Sequence, residues 1–78
     1  MEAEVDSLIK VLLAYAKNPT KEGSKNCRRM ISEIEERAAE SQRLKDFLTN
    51  AYEMTARPYL KAKTDIRKLV RAFSESGL

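Results

Sequence analysis

Very little in this sequence can interrupt a helix. Its 78 residues include two prolines, Pro19 and Pro58, and two glycines, Gly23 and Gly77. Neither glycine follows Asn or Asp, so the commonest hairpin signal is missing, and no run of β-branched residues alternates with polar ones. Ala, Leu, Lys, Glu and Arg are abundant instead, and these side chains lose little rotamer freedom on a helix. Apolar residues return every three or four positions, the spacing that lines one helical face. The chain is therefore predicted to be all-α: a single domain over residues 1–78, folded as a compact bundle of three to four short antiparallel helices.

The first helix is predicted from about Ala3 to Lys17, with Val5, Leu8, Ile9, Leu12, Leu13 and Ala16 as its inward stripe. Glu2, Glu4 and Asp6 near its start and Lys17 near its end all complement the helix dipole. Pro19 pushes Asn18 out of the α region and ends the helix there. The segment Asn18 to Ser24, NPTKEGS, reads as a turn with Ser24 as N-cap of the next helix; Asn18 capping a short helix that begins at Pro19 is the competing reading. A second helix runs from about Lys25 to Glu40, with Cys27, Met30, Ile31, Ile34 and Ala38 inward and an Arg29, Glu33, Arg37 ladder outward. Leu44, Phe47, Leu48, Ala51 and Met54 share a helical face that is out of phase with that stripe. A corner capped by Ser41 accounts for the shift and opens a third helix to about Ala56, with one uninterrupted helix over 25–56 as the alternative. Arg57-Pro58 is the last break. The final helix starts at Pro58 or, with Pro58 to Lys63 as a connector, at Thr64-Asp65, and Gly77 closes it.

Composition removes several functions. A domain of this size buries only about 60% of the surface its unfolded chain exposes, so its stability is modest. A hydrophobic fraction of 42% beside 35% charged residues belongs to folded soluble domains rather than disordered chains. The longest apolar run of the first helix, Val11 to Ala16, is about a third of a membrane span, and integral membrane insertion is not expected. Cys27 is the single cysteine, and Met1 is followed by three acids within five residues rather than by a signal-peptide pattern. An intracellular location, cytoplasm or nucleus, is the expectation. Histidine is absent, which takes away the commonest general base and metal ligand, and two glycines cannot build a P-loop or a dinucleotide fingerprint. No enzyme, catalytic residue or cofactor is expected. Glu33, Glu36 and Glu40 share a face, but hard cations draw their oxygens from shaped loops, so these read as a solvated surface and no metal site is expected. Cys27, Met30 and Met54 read as core filler, and Tyr15, beside the first stripe, as partly exposed.

Charge singles out the C-terminal half. Residues 1–40 carry a net −1 and residues 41–78 a net +4. On a helix that begins at Pro58, Tyr59, Ala62, Ile66, Leu69, Val70 and Phe73 face inward, while the cations occupy an outer arc of about 120°. Leu60 falls among them, facing water. The candidate binding residues are Arg57, Leu60, Lys61, Arg67, Lys68 and Arg71. The first functional reading is a non-catalytic protein–protein interaction module that recognises an acidic or amphipathic protein partner through this helix or a groove between helices. The alternative is a nucleic-acid-binding domain, for RNA or DNA, that uses the same face on phosphates with a steep salt dependence. An anionic membrane surface is a further target for such a face, and homo-oligomerisation that buries surplus apolar surface is a third function class.

The stretch LLAYAKNPTKEGSKNCRRMI, Leu12 to Ile31, carries a leucine helix, an Asn-containing turn and basic residues after it. In this it resembles the opening of PUB domains, small helical modules that bind peptide tails of an AAA ATPase. The resemblance covers about a quarter of the chain. Beyond it the sequence departs from that family, with no glycine in residues 24–76 and no strand pattern, and the chain is not assigned to it.

Overall fold

Segments that are apolar on one face only must bury those faces against one another, and four of them do so here as a closed ring. The computed structural model describes residues 2–37, 41–56 and 59–75. Its helices are α1 (Glu2–Lys17), α2 (Lys21–Arg37), α3 (Gln42–Thr55) and α4 (Ala62–Glu75). Each packs against the next, and α4 returns to lie against α1. Short connections make consecutive helices antiparallel, giving an all-α bundle of 32 × 23 × 18 Å.

The centre of the ring is filled from all four sides. Leu8 and Leu12 of α1, Cys27 and Ile31 of α2, Leu48 of α3 and Ile66 of α4 are fully enclosed. Phe47 and Phe73 stack at 4.2 Å between centroids, joining α3 to α4, and the Arg43 guanidinium sits 4.3 Å over the Phe73 ring while donating to the Phe73 carbonyl. Ser41 is extended, at φ −112° and ψ 102°, and its hydroxyl accepts from the Leu44 N–H at 3.2 Å. The phase shift is thus a true corner, and a single helix over 25–56 does not form.

Several local expectations are corrected. Viewed down α1, Leu8, Leu12, Val5 and Ala16 cluster about one direction, from which Tyr15 lies about 60° and Leu13 about 100° away. Tyr15 therefore goes in, at 3% exposed, and Leu13 turns out, at 39%. The second helix begins four residues earlier than Lys25, at Lys21. Thr20, not Ser24 or Asn18, caps it: the Thr20 Oγ1 accepts from the Gly23 N–H at 2.9 Å and its carbonyl from the Ser24 N–H, also at 2.9 Å. Gly23 then stands inside the first turn. A Cβ there would lie 3.0 Å from Thr20 Oγ1 and 3.3 Å from Tyr15 Cδ2, so the glycine permits close approach of the tyrosine ring. Ser24 is buried, and its hydroxyl donates across the bundle to the Thr55 carbonyl at the end of α3.

The last helix starts at Ala62, between the two predicted starts. The Ala62 N–H bonds the Tyr59 carbonyl at 3.1 Å and the Asp65 N–H the Lys61 carbonyl at 2.8 Å, so residues 59–61 form the turn that leads into it. Tyr59 is consequently exposed rather than inward, with its hydroxyl donating to Asp65 Oδ2 at 3.1 Å. Ala38, Glu40, Arg57, Pro58 and Gly77 lie outside the described residues.

Candidate binding groove

Thr64, Arg67, Lys68 and Arg71 recur at the three- and four-residue spacing that lines one face of α4. Because α4 packs on α1, that face borders the edge from which Leu13 emerges. The result is a groove of about 510 Å³, walled by these four residues, with Leu13 on the α1 side and Val70 at its base. An apolar strip thus runs beside three cations. Arg71 makes a loose, exposed contact with Glu75, at 4.0 Å, and no ion pair engages Arg67 or Lys68 among the described residues. Exposed pairs of that kind contribute little, so the wall keeps its positive field, which concave walls concentrate.

Three of the six residues singled out from the sequence therefore meet in one place. Leu60 and Lys61 do not line the groove, because the helix that would carry them has not yet begun; both belong to the turn before α4. Leu60 is fully exposed, at 104%. Arg57 lies outside the described residues. Sequence reading missed Leu13, whose only signal was its place at the margin of the α1 stripe, and Thr64, whose spacing to Arg67, Lys68 and Arg71 was visible.

Elsewhere the reactive side chains are held quiet. Cys27 is enclosed between α1 and α2, its thiol directed to the Val11 carbonyl at 3.9 Å, and burial pushes its pKa up to about 11. A thiol so far from its thiolate is not a nucleophile at neutral pH. The hydroxyls of Tyr15 and Tyr59 are also raised, first by desolvation. The described residues contain no group of three or more His, Cys, Asp or Glu able to hold a metal ion. Glu33 and Glu36 stand exposed on α2. No helix among the described residues is long and apolar enough to cross a membrane.

Compared with protein-family models, with curated proteins and with solved structures, the chain matches none of them.

Proposed function

We propose that this chain is a non-catalytic protein–protein interaction module whose α1–α4 groove takes an acidic, amphipathic segment of a partner protein. An apolar side chain of the partner rests on Leu13 and Val70, and its carboxylates face Arg67, Lys68 and Arg71. One observation carries the reading: the three exposed cations line the same groove as Leu13 and Val70, so charge and apolar surface stand side by side. A phosphate backbone would use the cations and leave the strip idle, whereas an amphipathic helix uses both. The buried, single cysteine supports an intracellular setting for this encounter.

The test uses a fluorescein-labelled helical peptide with Leu along one face and Glu along its flanks, beside labelled single-stranded RNA and duplex DNA, each followed by anisotropy from about 50 to 200 mM salt. The peptide is expected to bind. Leu13→Ser should weaken it about tenfold, and Arg67→Glu with Lys68→Glu should abolish it. Binding of nucleic acid that is indifferent to Leu13→Ser, with a log–log salt slope of about 0.9 for each phosphate contacted on duplex DNA, would replace this reading with the nucleic-acid one. Sedimentation over a range of concentrations separates both from self-association.

A further inference from the structure

A second hollow lies at the other side of α1, about 200° around the helix from Leu13. It has a volume of about 420 Å³ and is lined by Lys21, Lys25 and Arg28, which succeed one another at helical spacing along the first two turns of α2. Pro19 and Thr20 of the α1–α2 turn, Ser24 of α2, Ala56 after α3 and Tyr15 complete its walls. None of the three cations forms an ion pair among the described residues; Arg28 Nε donates only to the Ser24 carbonyl, at 3.4 Å. The first-turn acid of α2, Glu22, does not line the hollow. The site also sits at the positive end of a 17-residue helix, where the first-turn N–H groups have no intrahelical acceptor.

Tyr15 supplies an independent observation. It is 3% exposed, yet its hydroxyl finds no hydrogen-bond partner among the described residues. An unmet buried hydroxyl is costly, and among native structures such a group calls for a reason. The hydroxyl lies within electrostatic reach of Arg28, a cation of the same hollow. Tyr15 lines the hollow together with Lys25 and Arg28, whose long side chains change rotamer within nanoseconds and can follow an entering oxyanion.

We propose that this hollow binds the phosphate group of a small, soluble phosphomonoester. Lys21, Lys25 and Arg28 hold the phosphate at the N-terminal end of α2, the Tyr15 hydroxyl donates to one of its oxygens, and the organic part lies against Pro19 and Ala56. A phosphate is favoured over a carboxylate because three cations on one face match a charge of about −2 better than −1. The volume exceeds that of a lone phosphate and leaves room for the organic group.

The ¹⁵N-labelled full chain, titrated with glycerol 3-phosphate at constant ionic strength against a chloride reference, tests this. Saturable shifts are expected at the amides of Lys21, Glu22 and Gly23. Lys21→Ala with Lys25→Ala, both exposed and harmless to the fold, should weaken binding at least tenfold. Tyr15→Phe should weaken it about threefold while leaving the thermal midpoint equal or higher, since it removes only a buried hydroxyl that has no partner among the described residues. Shifts that chloride reproduces, or that survive the double variant, would overturn the site. Tyr15→Phe binding at wild-type affinity would overturn the role of the hydroxyl. Binding to vesicles of phosphatidic acid without binding to glycerol 3-phosphate would overturn the soluble ligand in favour of a lipid headgroup.

Discussion

Placing aspartate at Thr20 or at Ser24 is the same chemical change one helical turn apart, and the two should differ in outcome by several kcal/mol. Thr20 is exposed and caps α2 by accepting from the Gly23 N–H. Aspartate keeps that acceptor and adds charge at the positive end of the helix, so Thr20→Asp should be neutral or stabilising by a few tenths of a kcal/mol, whereas Thr20→Ala should cost about 1 kcal/mol. Ser24 is 7% exposed and donates to the Thr55 carbonyl. Removing the donor and leaving that carbonyl unpaired costs about 1–3 kcal/mol. Alanine returns about 0.5 kcal/mol of helix propensity, so Ser24→Ala should lose about 0.5–2.5 kcal/mol overall. In a domain of this size that lowers the thermal midpoint by about 2–20 °C. Ser24→Asp should be worse than Ser24→Ala, because a carboxylate would be desolvated beside a carbonyl oxygen it cannot donate to. Urea unfolding of the four variants, followed by far-ultraviolet circular dichroism, gives the order directly. A Ser24→Asp protein as stable as the wild type, with Thr20→Asp destabilised, would mean that α2 begins after Ser24 and that the tie to Thr55 does not exist.

Leu48→Ala, in the centre of the ring, should cost about 2–5 kcal/mol in urea unfolding, while Leu60→Ser, at a fully exposed position, should stay within about 0.5 kcal/mol; a large loss at Leu60 would contradict its place in the turn. Gly23→Ala should lower the thermal midpoint despite a propensity gain of about 1 kcal/mol, because the new Cβ crowds the cap oxygen and the Tyr15 ring; a rise would show that both yield freely. The neutral Cys27 thiol is preferred in the folded state, so its contribution is complete below the ordinary thiol value of 9.0 and is lost as pH rises through about 11. Cys27→Ala should therefore show a shallower decline of stability over that interval than the wild type; the raised Tyr59 hydroxyl is common to both proteins, while Tyr15, raised by desolvation and then by Cys27, loses the second cause and makes the decline shallower still.

What could be read from the sequence was whatever a residue does within its own turn. Ser41 accepts from an N–H three residues on, and the phase shift beside it is visible in the order of the letters. Thr20 makes the same local bond, but Ser24 is an equally good capping residue, and Gly23 between them looks like a turn unless the Tyr15 ring is already known to press on it. The hydroxyl of Ser24 instead serves a carbonyl 31 positions away, and no local pattern announces that. The groove divides the same way. Its basic wall stems from the period of α4, so Arg67, Lys68 and Arg71 could be named in advance; its apolar strip exists only because α4 returns to α1 and covers one side of Leu13 while leaving the other open. Leu60 and Lys61 were drawn into that wall by extending the period back to Pro58, past the turn held by the Tyr59 carbonyl and the Tyr59–Asp65 bond. Charge spacing thus suggests which chemistry a partner must offer, while the packing of helices distant in sequence decides which apolar side chain stands beside it. A variant at Leu13 therefore tests the tertiary half of the proposal, and a charge reversal on α4 tests the half already written in the sequence.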